Sequence, residues 1–298
     1  MPALRRRPVA ALIAAATLLF GAPAVARAEP ALWVVRDADS TVYLFGTVHL
    51  LRPDLQWNTE RVRRAMADSG ELWLEIAEVD DPEAMVPLVR QYGIDPSRPL
   101  STRLDERQRA RLAEVAGRLK LDPAQLEPLK PWMAGVTLAL LSLQGAGFDP
   151  EAGVDRVLKG RAVAEGDAVR AFETAEQQLQ FFDGLSEAQQ VAFLMSVVDD
   201  AGEGASALDT LAAAWSRGDD APLEREFVTE MKARYPELYN VLLTRRNRAW
   251  AARIEQVMAG AGVHFVAVGA GHLVGPDSLQ AELARRGLRA ERAASRSD

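Results

Sequence analysis

The sequence places its strongest β-strand signals near the two ends of the chain, with a long helical middle between them. Residues 32–45 contain two apolar stretches on either side of the turn-forming run 36–40, which predicts a hairpin. Residues 263–268, Val-His-Phe-Val-Ala-Val, give the clearest strand signal in the chain. Because an isolated hairpin is marginally stable, we expect the two ends to meet in one sheet.

Two further strands are predicted within the middle of the chain. Residues 71–76 alternate in polarity and contain a tryptophan, and residues 169–172 form a short β segment that ends at Glu173. The resulting order of strands and helices predicts an α/β fold. In this fold the N- and C-terminal parts of the chain form a mixed β-sheet, the middle is largely helical, and helices flank the sheet.

The helical middle is predicted to cover about 82–160 and 175–260. Capping-box patterns support helix starts after three polar residues, which are Asp105, Thr174 and Ser186. The almost uncharged run 132–144 is too short to span a membrane, so we interpret it as a buried core helix.

The first 28 residues have the pattern of a cleavable signal peptide. Three arginines at positions 5–7 precede an apolar stretch over 9–20, and small residues surround position 27. We therefore expect residues 29–298 to form a single domain that is periplasmic or secreted. The apolar stretch is shorter than the roughly 20 residues of a membrane-spanning helix, so we expect no stable membrane anchor after cleavage.

Charge and composition exclude several classes of function. Loss of residues 1–28 removes four arginines and no acidic residue, which takes the formal net charge from −7 to −11. An acidic protein is a poor partner for nucleic acid or anionic lipid. The chain has no cysteine, which excludes a thiol nucleophile, an iron–sulfur cluster and a thiolate zinc site. The sequence also lacks a phosphate-binding loop, a His-Glu-x-x-His helix and a Gly-x-Ser-x-Gly elbow.

Two of the three histidines occupy the same local pattern. Gly46 precedes His49 by three residues, and Gly269 precedes His272 by three residues. Each motif follows an apolar strand, and open α/β sheets bind ligands beyond the carboxyl ends of their strands. We expect the two histidines to be neighbours in space and to hold a divalent metal, although each could instead be a satisfied polar residue at a strand end.

The glycines of these motifs are expected to adopt unusual dihedral angles and to let backbone N–H groups approach a ligand.

The third histidine, His264, begins its strand. At about 3.3 Å per residue it lies roughly 26 Å from His272 in an extended chain, so we do not expect it to share the site.

Carboxylates are the next requirement, because two imidazoles and one carboxylate form an open metal site. Glu75, at the end of an apolar strand, is the best candidate; the alternative is a glutamate exposed where the strand meets solvent. Glu173 also ends a strand, although it could simply favour the dipole of the next helix.

Arg246 and Asn247 could bind a substrate carboxylate or carbonyl, or could lie on a solvated helix face. Asp155 is equally ambiguous.

Several segments together resemble the TraB/GumN family, which is related to the PrgY and TIKI proteins. The matching segments are 43–51, 153–155, 173–178, 246–250 and 266–277. The resemblance covers nearly all of the chain after the signal peptide and keeps the order of the family's motifs. The polar run 164–167 departs from the family pattern, which puts the start of the strand before Glu173 in doubt.

The resemblance implies a metal site and an activity. TIKI relatives look like metal-dependent proteases that act near the N-terminus of a protein substrate. Carried over to this chain, the metal ligands are His49, His272 and Glu75, with Glu173, Arg246 and Asn247 as supporting groups. Related haem-handling and antibiotic-esterase folds show that the same scaffold serves other functions.

We therefore expect a periplasmic, peptidase-like metallohydrolase that acts on a peptide or protein substrate. Its divalent ion, Zn, Mn, Co or Fe, lowers the pKa of bound water and polarises a carbonyl. Glu75 is a ligand or the general base, and Glu173 takes the role that it leaves open. The alternatives are a non-catalytic binding protein that sequesters peptide, haem or metal, and an iron oxygenase with two histidines and one carboxylate.

Overall fold

The computed structural model describes residues 29–77, 81–201 and 204–294. The predicted signal peptide, residues 1–28, lies outside the described residues. Six strands in the described ranges form one sheet in the order β4-β3-β5-β2-β1-β6. The strands are β1 (Leu32–Arg36), β2 (Ser40–Thr47), β3 (Glu71–Leu74), β4 (Ala168–Ala171), β5 (Gly262–Gly269) and β6 (Ala290–Arg292).

The sheet is mixed, and its parallel part sets the position of the site. The strand β5 pairs in parallel with both β2 and β3, and β3 pairs in parallel with β4. The strand β1 runs antiparallel to both β2 and β6. The N-terminal and C-terminal strands therefore meet in one sheet, as predicted. The carboxyl ends of β2, β3, β4 and β5 all lie at the same edge.

Helices fill most of the chain between the strands, as predicted. They are α1 (Glu60–Ala67), α2 (Pro82–Tyr92), α3 (Glu106–Arg118), α4 (Pro131–Gly145), α5 (Val154–Glu165), α6 (Ala175–Asp183), α7 (Glu187–Asp200), α8 (Gly204–Ser216), α9 (Asp220–Glu224), α10 (Met231–Arg234), α11 (Pro236–Tyr239), α12 (Arg245–Met258) and α13 (Leu279–Arg285). Two π-helical segments, Arg225–Glu230 and Asn240–Thr244, connect the shorter helices. The capping boxes at Asp105, Thr174 and Ser186 are all present.

Two apolar clusters hold helices against the two faces of the sheet. On one face, Phe45 and Phe265 pack with residues of α1, α5 and α8. On the other face, Trp73 and Val266 pack with Trp250 of α12 and with α13. Because burial of apolar area is the dominant favourable contribution to folding, these clusters fix the first turn of α12 at the carboxyl edge of the sheet.

A third cluster joins α3, α4 and α7 away from the sheet. The predicted core helix over 132–144 corresponds to α4, but only part of it is buried. Trp132 and Leu138 are buried, whereas Leu140 is 40% exposed and lines a cavity beside His49. Among the described residues, no helix combines the length and the apolar character needed to cross a membrane.

Candidate functional site

Polar side chains that follow four parallel strands come together at one edge of the sheet. His49 lies two residues after β2, and Glu75 directly follows β3. Glu173 lies two residues after β4, and His272 lies three residues after β5. The strand β3 ends at Leu74, two residues earlier than predicted, so Glu75 belongs to the loop rather than to the strand.

The two Gly-x-x-His motifs meet through close contacts at their glycines. A Cβ atom on Gly46 would lie 3.0 Å from the Cα of Ala270, so the first motif packs directly on the second. A Cβ atom on Gly269 would lie 3.1 Å from Glu75 Oε1, and the Gly269 N–H donates to that oxygen at 2.7 Å. The same point is 3.6 Å from His272 Cδ2 and 4.0 Å from His49 Nε2.

These contacts do not depend on the unusual dihedral angles that we expected for the two glycines. Neither Gly46 nor Gly269 has a positive φ, and Gly269 has φ −48° and ψ 136°. The prediction of unusual dihedral angles is therefore wrong for these glycines. Their role is to allow close approach. A side chain at position 46 would push the two loops apart, and a side chain at position 269 would displace Glu75.

His49 is oriented by a carboxylate from a neighbouring helix. Its Nδ1–H donates to Asp155 Oδ1 at 3.1 Å. The N-terminus of α5 is held to the His49 loop because Val154 N donates to Val48 O at 3.0 Å. A Cβ on Gly153 would lie only 2.3 Å from His49 O, so glycine is needed for this approach. Asp155, one of the ambiguous candidates in the sequence, thus belongs to the site.

His272 is oriented from the opposite side by α12. Asn247 Oδ1 lies 2.6 Å from His272 Nδ1, and Arg246 Nη1 lies 3.2 Å from His272 Nε2. Because arginine only donates hydrogen bonds, Nε2 accepts and Nδ1–H donates to Asn247. Asn247 also donates to the carbonyl of Asp277 at 2.8 Å, so its amide holds the ring and does not face either cavity of the site.

Arg246 is the centre of the polar cluster. Its Nε donates to Glu173 Oε1 at 2.9 Å, and its Nη2 donates to Glu173 Oε2 at 2.8 Å. The same Nη2 donates to Glu75 Oε2, and Nη1 donates to the carbonyl of Leu242 at 3.1 Å. Arg246 is 8% exposed, so the alternative of a solvated helix face is wrong for this residue. It is a buried cation that bridges two carboxylates.

Two residues of the cluster were not singled out from the sequence. Gln178 Nε2 donates to Glu75 Oε2 at 3.0 Å and to Glu173 Oε2 at 3.2 Å. Trp250 Nε1 donates to Glu173 Oε1 at 2.9 Å. The spacing of Trp250, four residues after Arg246 on one helix, was the signal that could have indicated a shared face. Gln178 lies in the second turn of α6, directly after the predicted cap.

The surroundings lower the pKa values of both Glu75 and His272, but for different reasons. Burial alone would raise the pKa of Glu75, but Arg246 and the two histidines hold it well below its usual range. Burial lowers the pKa of His272 to about 3, and Arg246 acts in the same direction. Glu75 is therefore ionised and His272 neutral near pH 7.

His49 behaves differently from His272, although both imidazoles face the same space. Desolvation of the ring alone would lower the pKa of His49, but Asp155 and Glu75 outweigh it and raise this pKa to about 9. The side chain of His49 is 57% exposed, whereas that of His272 is 5% exposed. His49 is thus the open, protonated member of the pair.

The donor types of the cluster fit a divalent cation, although its present spacing does not. Each imidazole has Nδ1 held by a side-chain oxygen, which is the usual arrangement around metal-binding histidines. His49 Nε2 lies near Gly269, and His272 Nε2 lies 3.8 Å from Glu75 Oε1. Within the described residues, however, no three His, Asp or Glu side chains are close enough to form a metal-binding group. Arg246 contacts both Glu75 and His272, so its guanidinium must withdraw from them before a cation can bind there. His49 must also lose its proton, because its pKa is raised.

Two cavities open onto the cluster. One has a volume of about 410 Å³ and the other about 480 Å³. Both are lined by the same five residues at their junction, which are Thr47, His49, Leu50, Glu75 and Gln178. These volumes are within the range of small-molecule sites, roughly 300–1,000 Å³. The polar cluster therefore lies where a ligand could extend in two directions.

The third histidine lies elsewhere. His264 Nδ1 contacts Glu71 Oε2 at 3.2 Å, and Glu71 also contacts Arg170 at 3.3 Å. Glu71 is the first residue of β3, at the amino end of the parallel strands. His264 is therefore separate from the cluster and provides a natural control for experiments on it.

The fold and the cluster define a class: α/β proteins with a mixed sheet, in which two Gly-x-x-His loops meet a buried arginine–glutamate network at the carboxyl edge. The chain belongs to the TraB/PrgY/gumN family, whose model matches residues 31–292. This confirms the resemblance noted in the sequence.

Curated relatives are similar over most of the chain. The uncharacterized protein YbaP of Escherichia coli (strain K12) is 24% identical over 252 residues, which covers 84% of this chain and 90% of YbaP. YbaP of Shigella flexneri gives the same identity and coverage. No solved structure matches the chain at a significant level.

Proposed function

We propose that this chain is an exported metal-dependent hydrolase, peptidase-like in its chemistry, whose active site is the cluster around His49, Glu75 and His272. The observation that carries the proposal is the orientation of the two imidazoles. They come from loops more than 200 residues apart, and each has Nδ1 fixed by a side-chain oxygen. His49 Nε2 lies near Gly269, and His272 Nε2 lies 3.8 Å from Glu75 Oε1. Such fixing of the ring turns the other nitrogen towards a metal, and His272 Nε2 becomes available once Arg246 withdraws from it.

In this proposal His49, His272 and Glu75 hold the cation. A bound cation would supply Lewis-acid polarisation of the substrate carbonyl and would lower the pKa of a neighbouring water. Hydrolysis then joins a water oxygen to the carbonyl carbon and breaks the C–N bond, and the leaving amine takes up a proton from that water. Cleavage requires Glu75 to be ionised and His49 to be neutral before the substrate binds.

The low pKa of Glu75 favours the role of ligand over that of general base. A carboxylate with a pKa well below its usual range accepts a proton poorly near pH 7. Glu173 has both oxygens engaged by Arg246, Trp250 and Gln178, so we assign it to positioning rather than proton transfer. Arg246 lines the larger cavity and can donate to negative charge that develops on a carbonyl oxygen.

Metal analysis of four variants tests the proposal. His49→Ala, His272→Ala and Glu75→Gln are compared with wild type and with His264→Ala, the control at the opposite edge. Each purified protein is loaded separately with Zn, Mn, Co or Fe, and its metal content and cleavage of a peptide library are measured. We expect stoichiometric metal and chelator-sensitive cleavage in wild type and His264→Ala only. If wild type binds none of these metals, or cleaves equally well after chelation, the metal-dependent mechanism is wrong.

A second candidate function is a non-catalytic binding protein for peptide, haem or metal. The observation that favours it is that Arg246 is already paired with both Glu75 and Glu173, so that these carboxylates have a counter-ion without a metal. Measurements of peptide and haemin binding, made on the same set of proteins, separate the two functions. Tight binding of a peptide, of haem or of a metal without turnover under any loading condition supports the binding protein and contradicts the hydrolase.

A further inference from the structure

The larger cavity has an apolar interior that the chemistry of the cluster does not explain. Its volume is about 480 Å³, and its wall is formed by aromatic and aliphatic side chains from several helices. Representative members are Phe148, Phe181, Phe227, Leu208, Leu211 and Leu242. We call this space the apolar chamber. Such a chamber excludes charge, because an unpaired ionised group transferred into it loses its hydration.

The apolar chamber is continuous with the polar cluster. Among its described lining residues, the ionisable side chains are Glu75, Arg246, His49 and His272, and all four belong to the cluster. The guanidinium of Arg246 lies 5.6 Å from the ring centre of Phe181, so the apolar wall of the chamber directly adjoins the polar cluster. A ligand in the chamber therefore touches the groups that would act on it.

Thr47 carries a buried, unpaired hydroxyl beside the apolar chamber, and this is an observation independent of the cavity itself. Its side chain is 2% exposed, and Oγ1 has no hydrogen-bond partner among the described residues. Buried polar side-chain atoms are usually paired, so this hydroxyl is an exception within the part of the chain that the structure describes. Thr47 lines both cavities. Thr47 is therefore a residue with an unpaired polar atom at the junction of the two cavities.

We propose that the apolar chamber binds a large apolar side chain of a peptide substrate, beside the peptide bond that the cluster cleaves. A peptide joins the two required features, since its backbone has amide and carbonyl groups for Thr47 and Arg246 and its side chain fills the chamber. The second cavity, lined by Asp155 and Arg156, receives the chain on the other side of that bond. This inference rests on the proposed hydrolase but is tested separately by binding.

A peptide series tests the chamber. Peptides of one frame carry Phe, Leu, Ala or Asp at a single position, and both Kd for the metal-free protein and kcat/KM for the metal-loaded protein are measured. We expect Phe and Leu to exceed Ala by at least about 10-fold in both quantities, because enzymes gain roughly 10- to 200-fold for each buried methylene. Asp is expected to bind more weakly than Ala. Equal affinities across the series overturn the proposal.

Two variants narrow the chamber without touching the cluster. Leu211→Trp and Leu208→Phe each add volume to its wall, and Val163→Trp, at a position that is 62% exposed on α5, is the control. We expect both chamber variants to lose at least about 10-fold of the preference for Phe over Ala, with metal content unchanged. If both fold normally and keep the wild-type preference, the chamber is not the side-chain pocket.

The outcomes distinguish the chamber from the hydrolase. Preferential binding of apolar peptides without cleavage by any metal-loaded form supports the chamber and contradicts the hydrolase. Metal-dependent cleavage without side-chain preference does the reverse. Haemin and palmitate are added as competitors. If either binds in the chamber and apolar peptides do not displace it, the peptide proposal is wrong.

Discussion

Arg246 carries much of the electrostatic stability of the site. It is paired with Glu75 and Glu173 in a region where all three side chains are at most 11% exposed. Buried ion pairs gain little over apolar residues of similar shape, but loss of one partner leaves a buried charge unpaired. The cluster is therefore sensitive to single substitutions and tolerant of paired ones.

Replacement of Arg246 by methionine tests this directly. We expect Arg246→Met to lower the free energy of unfolding by about 3–5 kcal/mol, measured by urea denaturation. The double variant Glu75→Gln/Arg246→Met should recover part of this loss. Arg248→Met is the control, because Arg248 lies on the same helix with a side chain that is 64% exposed. Equal effects at positions 246 and 248 would contradict the buried network.

His272 makes stability depend on pH in the metal-free protein. The folded state keeps this ring neutral down to about pH 3, whereas the unfolded chain binds the proton below about pH 6.5. The unfolded state then binds more protons in this window, so stability falls as the pH drops from 6.5 towards 3.

Urea denaturation as a function of pH measures this contribution. We expect His272→Gln to show a shallower loss of stability than wild type between pH 6.5 and 3. His264→Gln is the matched control and should keep the wild-type slope over this range more closely than His272→Gln does. A wild-type slope in His272→Gln would show that His272 is protonated in the folded protein.

Residues that carry the site were predictable where their signal is local in sequence. His49, His272, Glu75 and Glu173 each follow an apolar strand, so their place at one edge follows from the parallel arrangement. Gln178 was not predictable, because its two hydrogen bonds depend on where α6 lies relative to the loops that carry Glu75 and Glu173. Side-chain partners that are joined by tertiary packing leave no regular spacing in the sequence.

At the scale of elements, glycines set how closely the strand ends approach. Gly269→Ala is expected to displace Glu75, since the new Cβ would lie 3.1 Å from Oε1. We expect a loss of about 1–3 kcal/mol in the free energy of unfolding, together with weaker metal binding. Gly160→Ala on α5 is the control, since nothing lies within 4 Å of its added Cβ. It should leave metal binding unchanged and stabilise the helix. Unchanged metal binding in Gly269→Ala would contradict the close approach.

Elements differ in how well the sequence predicted them. The helix starts at Asp105, Thr174 and Ser186 could be identified because capping boxes act over three residues. The π-helical segment Asn240–Thr244 could not, although it directly precedes α12, and Arg246 donates to the carbonyl of Leu242 within it. π-helical turns are often found at functional sites, and they follow from tertiary demands rather than from residue propensity.

At the scale of the whole molecule, the chain brings its two ends together to build the site. The strand β5 inserts between β2 and β3, so His272 reaches His49 and Glu75 only when the C-terminal part has folded onto the N-terminal part. That the ends meet follows from the strand signals. The order of strands was not predictable, because several parallel arrangements satisfy the same apolar patterns.

The central claim is that His49, Glu75 and His272 hold a divalent cation. A crystal structure of the zinc-loaded protein, with anomalous diffraction at the zinc edge, tests it most directly. We predict one strong peak about 2.0–2.2 Å from His49 Nε2, His272 Nε2 and a carboxylate oxygen of Glu75, with Arg246 withdrawn from His272. A cluster that keeps the Arg246–His272 contact and shows no peak, or shows one only elsewhere, would contradict the account.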